Sequence, residues 1–172
     1  MRKLSKERLF LVDPYNQSHL DMINNFEKNN EVKTQTSDYL NTLSNSISKE
    51  TYQERKKVSN DIEESIFIEK DGNIIDYCHI HGEKDIKTCT ITFYPLKNKN
   101  MKRKLPSLVA DFAINTLGLE EVFIDVDEND KSMIKYLETH GFESLGLENG
   151  KIMYLKEKEE KDMSQRKIAW KS

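Results

Sequence analysis

The stretch EVFIDVDENDKSMIKYLETHGFESLG, Glu121–Gly146, constrains this chain more than any other. Val122–Val126 has apolar positions on both faces of a short strand, which suits a covered place inside a sheet rather than at its edge. An acidic turn, Asp125–Asp130, leads into an amphipathic helix over Ser132–His140. Gly141-Phe142 then opens a strand, Phe142–Leu147, which reverses at Glu148-Asn149-Gly150 into Lys151–Leu155. A strand, a helix and a returning hairpin in close succession point to an α/β chain.

The preceding sequence fits the same class. Arg8–Val12 reads as a first strand stopped by Asp13-Pro14. Ser18 and Asp21 have the spacing of a capping box ahead of a short helix striped by Leu20, Ile23 and Phe26. A second helix starts at Ser37, with Leu40, Leu43 and Ile47 on one side. Ser48–Asn60 is polar, without a stripe, and reads as a surface helix or a mobile segment. Ser65–Lys70, Ile74–His81 and Lys87–Tyr94 are rich in β-branched and aromatic residues. Asp71-Gly72-Asn73 and Gly82–Ile86 separate them as turns, giving an antiparallel meander. After Pro95, a helical stripe runs through Leu105, Leu108, Val109, Phe112, Ala113, Thr116 and Leu117 to Gly118. The resulting core includes Phe112, Leu117, Phe123, Ile124 and Phe142.

At 172 residues, one domain over 1–158 with a polar tail over 159–172 is expected. Charged residues make up 33% and the net charge is −3, so no general bias toward polyanions follows. The longest early apolar run, Leu9–Val12, is too short for a signal peptide or a membrane span, and a cytoplasmic location is expected. Cys78 and Cys89 flank the last hairpin of the meander and fit reduced, partly buried thiols. No metal site is expected, because no CxxC pair or spaced Cys/His set is present.

The order of elements, together with LGLEEVFIDVDEND and HGF, resembles the GNAT superfamily of N-acetyltransferases over about Arg8–Lys156. That resemblance implies the GNAT fold: a mixed, mostly antiparallel central sheet built as strand-helix-helix-three strands-helix-strand-helix-two strands, with helices on both faces. It implies acetyl-CoA as co-substrate and a primary amine of a small molecule or protein as acceptor. A monomer or homodimer is expected, and charge balance and the short apolar runs give no reason to expect nucleic acid or membrane partners. In the family, the pantetheine arm pairs with the fourth strand, here Ile91, Thr92, Phe93 and Tyr94. The pyrophosphate sits on a glycine-bearing loop at the start of the next helix, where amide N–H groups hold an anion.

In this chain the loop is YPLKNKNMKRKLPS, Tyr94–Ser107. Lys97 falls at the family's Arg/Gln position, while Asn100 and Lys102 stand where its glycines belong. Pro106 confines the helix start to Lys104 or later. Two outcomes stay open. Lys97, Lys99, Lys102, Arg103 and Lys104 hold the phosphates by side-chain charge, with Asn100 tolerating left-handed geometry in the loop, or the chain is a catalytically silent binding module with a basic surface. A nucleic-acid contact is a poor third, since aromatic residues are not interleaved with the lysines.

For proton transfer, the resemblance places the acid at Leu137, with Tyr136 adjacent and carrying the hydroxyl. The competing reading of Tyr136 is packing beside Ile134. Tyr77, His79 and His81 share one face of their strand by alternation, and His79 is the candidate base because imidazole titrates near neutrality. The plain alternative is that both histidines are polar residues at a hairpin end. Asn129 belongs to the cofactor side by resemblance, and Asn129 or Asp130 caps the following helix.

Overall fold

The computed structural model describes residues 6–98 and 103–159. β1 (Arg8–Leu11) leads into three helices, α1 (Gln17–Asn30), α2 (Gln35–Ser46) and α3 (Lys49–Val58). The meander is β2 (Asp61–Lys70), β3 (Asn73–Glu83) and β4 (Thr88–Phe93). Then come α4 (Leu105–Asn115), β5 (Glu121–Asp127), α5 (Lys131–Thr139), β6 (Glu143–Glu148) and β7 (Lys151–Glu157). The strands form one sheet in the order β1-β2-β3-β4-β5-β7-β6. Only β4 and β5 run parallel; the other neighbours are antiparallel.

Side-chain alternation gives each face of this sheet its own core. Ile66, Cys78, Ile80, Ile91, Val122 and Ile124 lie on one face beneath Val109 and Ala113 of α4 and Leu137 of α5. On the other, Phe67 and Tyr77 pack against Leu20, Ile23 and Phe26 of α1 and Leu40 of α2. β5 is central, as its apolar character predicts, but its coverage is unequal. Val122 and Ile124 are fully buried, whereas Phe123 on the opposite face is only half-buried. Phe112 and Leu117 are also half-buried, so the predicted core holds fully only for Ile124 and Phe142.

Several local readings change. The segment left as helix or mobile chain is α3, capped by the Ser48 side chain, which accepts from the Thr51 amide at 3.2 Å. Its last turn carries Arg55, Lys56 and Lys57, whose charges favour the carbonyl end of the helix. None of its residues is buried, which is why no apolar stripe betrays it. Asn16, not Ser18, caps α1, accepting from the Ser18 and His19 amides at 3.0 and 3.3 Å. α2 begins at Gln35 behind a Thr34 cap rather than at Ser37. β2 begins at Asp61 rather than Ser65, which brings Glu63 and Glu64 into the sheet.

Gly82 lies within β3, not in the turn after it. Opposite Cys89, a Cβ at this position would stand 2.4 Å from the Thr88 carbonyl oxygen and 2.7 Å from the Cys89 Cβ. Cys78 lies opposite Phe93, four residues along from the Gly82–Cys89 pair, and both thiols are free and buried. Burial raises Cys78 well above the ordinary thiol range and pushes Cys89 up to about 12, so neither is a nucleophile near neutrality.

Two substitutions test this packing. Gly82→Ala should destabilise by about 1–3 kcal/mol, because the clash is with backbone. Phe142→Ala should cost about 3–5 kcal/mol. Urea unfolding of each variant checks both.

Candidate functional site

The site begins with an opening inside the sheet. β4 and β5 stay in parallel register from Thr88↔Glu121 to Ile91↔Ile124 and no further. Beyond that point β4 keeps its pairing with β3 through Thr92↔His79 and Phe93↔Cys78. β5 keeps its own with β7 through Asp127↔Lys151. Thr92 and Phe93 thus have no register partner on the β5 side, and Asp125–Asp127 have none on the β4 side. Of the four predicted cofactor-side residues, Ile91 is still paired and fully buried. Tyr94 stacks on Tyr77 with ring centroids 4.7 Å apart. Thr92 and Phe93 border the opening, and Tyr94 follows them beyond the end of the ladder.

The start of α4 lies beside it, and the chain's own groups meet that helix end. Lys104 makes no side-chain cap and Pro106 contributes no N–H. The Ser107 amide donates to the Tyr136 hydroxyl at 3.3 Å, and that hydroxyl donates to the Lys104 carbonyl at 3.3 Å. Tyr136 also stacks on His140, with centroids 4.0 Å apart. Leu137, the position counted from Gly141-Phe142, faces the core and is fully buried. Its neighbour Tyr136 is therefore the α5 hydroxyl at the head of α4.

Asp76, on β3, is the buried anion of this region. It accepts from its own neighbour's amide, Tyr77, at 2.9 Å and from Arg103 Nη1 at 3.2 Å. Burial raises its pKa from 3.8 to about 6, opposed by the Arg103 charge and by the amides of Tyr77 and Leu105, the first residue of α4. Arg103 is nearly buried too, and its Nη2 donates to the Tyr94 carbonyl at 2.6 Å. A guanidinium tied to a buried carboxylate and to a strand-end carbonyl holds the loop to the sheet.

The other basic residues of the loop are differently placed. Lys97 pairs with Glu31 at 2.8 Å, and Lys104 pairs with Glu7 at 3.1 Å. Both lysines are more than half exposed, where such pairs contribute only about 0.2–1 kcal/mol. Lys99, Asn100 and Lys102 lie outside the described residues. On β5's far end, the Asn129 amide donates to Asp127 Oδ1 at 2.8 Å, and Asp130 rather than Asn129 caps α5.

A second polar group lies on the sheet face that carries α1 and α2. The register pairs Glu63 with His81 and Ser65 with His79. His79 Nε2 meets Glu63 Oε2 at 2.5 Å, its Nδ1 meets the Ser65 hydroxyl at 3.1 Å, and His81 Nδ1 meets Glu63 Oε1. Thr92, at the edge of the opening, stands opposite His79. The structure therefore sets His79 in the Thr92 row one strand from the opening, with its ring turned to β2, and sets Tyr136 at the head of α4. Sequence reasoning missed Asp76, Glu63 and Ser65. A lone aspartate in the apolar run IIDYCHIH was the available signal for the first; the other two fall at or before the misread start of β2.

No family model and no curated protein matches the sequence. Solved structures do. The ribosomal-protein-S5-alanine acetyltransferase of Vibrio fischeri matches with a TM-score of 0.66 at 13% identity, covering 90% of this chain and 97% of that one. The PaiA N-acetyltransferase of Thermoplasma acidophilum, solved in complex with coenzyme A, matches at 0.58 and 12% identity over 89% and 99% of the two chains. A dodecameric spermidine N-acetyltransferase of Vibrio cholerae matches at 0.59 and 16% identity over 90% and 95%. The chain has the fold of the GNAT N-acetyltransferases. Among the described residues, no cluster of three or more His, Cys, Asp or Glu side chains is arranged for a metal ion, and no helix is long and apolar enough to cross a membrane.

The buried pair gives a prediction whose sign follows from burial. A carboxyl raised in the folded state binds protons more tightly there than in the unfolded chain, so its contribution to stability falls as pH rises from about 4 through 6. Asp76→Asn lacks that loss. Urea melts should show the variant gaining on wild type by up to about 3 kcal/mol between pH 4 and pH 7. Arg103→Met, which strands the carboxylate, should cost about 3–5 kcal/mol at neutral pH and less at pH 5.

Proposed function

We propose that this chain transfers an acyl group, by default acetyl, from coenzyme A to a primary amine of a small molecule or protein. The observation that carries this reading is the opening between β4 and β5 beyond Ile91 and Ile124. A strand edge exposed inside a sheet offers backbone donors and acceptors to an extended ligand, as an added strand would. The GNAT fold, and the coenzyme A complex of one structure sharing it, support the same ligand.

The residues fit that co-substrate, though not in the way the resemblance implies. The head of α4 offers few amides to a diphosphate, since Pro106 has none, Ser107 donates to Tyr136 and Leu105 faces Asp76. Lys97 and Lys104 take over the charge, because exchanging an exposed carboxylate for a phosphate oxygen costs them little. Lys99 and Lys102 extend the same basic stretch. Arg103 stays with Asp76. The thioester supplies an activated carbonyl; the chain supplies the edge at Thr92 and Phe93 that orients it. Tyr136 acts as the acid for the departing sulfur by giving up its weak bond to the Lys104 carbonyl. His79, opposite Thr92 on the neighbouring strand, belongs to the acceptor side.

A second reading has an observation of its own. The helix end that would bind an anion is already met by Asp76 and Tyr136, as a silent binding module with this fold would tolerate. Ligand binding separates the two. Acetyl-CoA at about 100 times its dissociation constant stabilises by roughly 2.7 kcal/mol, which should raise the melting temperature by about 5–10 °C for a chain of this size. An unmoved melting point at millimolar ligand selects the module. Given binding, thiol release with primary amines should fall about 10²–10⁴-fold in Tyr136→Phe.

A further inference from the structure

We propose that His81, not His79, takes the proton from the acceptor amine, and that Glu63 holds it for that task. The inference rests on the acyl-transfer reading and goes beyond it in assigning the base and the atom.

Hydrogen-bond bookkeeping on the β2–β3 ladder makes the assignment. An ionised carboxylate only accepts hydrogen bonds. Each imidazole nitrogen facing Glu63 therefore carries its proton: Nε2 of His79 and Nδ1 of His81. A neutral His79 then has its lone pair on Nδ1, where the Ser65 hydroxyl donates at 3.1 Å. Neither nitrogen of His79 is left to act. His81 differs. With Nδ1–H given to Glu63, its lone pair is on Nε2, which has no partner among the described residues, and its side chain is 62% exposed. Of two imidazoles on one carboxylate, one is locked and one is presented.

The arrangement has the polarity that proton abstraction needs. A carboxylate behind Nδ1 fixes the tautomer and stabilises the imidazolium once Nε2 is protonated. His79 acts as a positioning residue, since its bond to Oε2 keeps the other carboxylate oxygen turned toward His81. Location agrees. His81 stands opposite Thr90, which in turn stands opposite Phe123. His81 thus lies on the α1–α2 face of β3, one strand from the opening and one row from Thr92 toward the paired end of the ladder. Tyr39 of α2 also lies within reach of the Glu63 charge, and its phenol is raised first by burial and then by that charge.

The step balances without any further reagent. An N–H bond of the acceptor ammonium breaks, its proton goes to Nε2 of His81, and the electron pair left on nitrogen forms the new bond to the acyl carbon. The carbon–sulfur bond breaks, Tyr136 gives its hydroxyl proton to the sulfur to form the thiol, and the second nitrogen proton, passed through water, restores the Tyr136 hydroxyl.

Two measurements test this. Nitrogen-15 NMR of the histidine rings at pH 8 needs no acceptor. It should find His81 as the Nδ1–H tautomer and His79 as Nε2–H, with the His81 preference lost in Glu63→Gln. His81 found as Nε2–H overturns the proposal. In thiol-release assays with acetyl-CoA and either spermidine or a peptide with a free N-terminal alanine, His81→Ala should lose about 10²–10⁴-fold in turnover. Its acetyl-CoA affinity by calorimetry should be unchanged, and added imidazole should restore part of the rate. Full turnover in His81→Ala overturns the base role while leaving acyl transfer standing. Failure of wild type to bind acetyl-CoA removes acyl transfer, and the base role with it. If neither amine is an acceptor, the tautomer measurement decides alone.

Discussion

The sheet of this molecule turns on a parallel ladder that is only four residue pairs long. β4 and β5 separate after Ile91↔Ile124, yet neither strand is loose, because β3 holds the outer side of one and β7 the outer side of the other. A break inside a sheet ordinarily strands backbone donors and acceptors. Here the two faces are separately packed, by α4 and α5 on one side and α1 and α2 on the other, so the opening sits in a frame that does not depend on it.

The head of α4 is the second determinant, and it departs from the resembled pattern in a coherent way. Loss of both loop glycines goes with a proline in the first turn, a tyrosine hydroxyl on the Ser107 amide and a buried aspartate near the helix end. Asp76 is costly to ionise where it lies, and Arg103 offsets part of that cost while tying the loop to Tyr94. Local charge balance, not backbone cradling, organises this corner. The exposed charges of the corner are Lys97 and Lys104, each paired with a glutamate.

On the opposite face, the antiparallel register of β2 and β3 sets Glu63 and Ser65 against two histidines. Two residues of period along each strand suffice to build a carboxylate shared by two rings. That sharing breaks the equivalence of the histidines, since only His79 has a hydroxyl waiting on its other nitrogen.

Fold class was legible in the residues because it depends on local pattern. The β-branched runs, the Asp71-Gly72-Asn73 turn and the Gly141-Phe142 step each follow from chain stereochemistry and short-range periodicity. Boundaries that depend on partners were not. β2 reaches back to Asp61 because β3 is there to pair with it, and α3 buries nothing that a periodicity could record. Gly82 reads as a turn residue by type, yet it is required where the Thr88 carbonyl passes too close for a Cβ. The site divides in the same way. Alternation alone put His79 and His81 on one face, and counting back from Gly141-Phe142 reached Leu137, one residue from Tyr136. Which imidazole nitrogens are engaged, which lysine is merely paired and which arginine is tied to the sheet depend on carboxylates 16 to 97 residues away in the chain. Only the folded sheet brings those charges together, so only the tertiary structure could decide their roles.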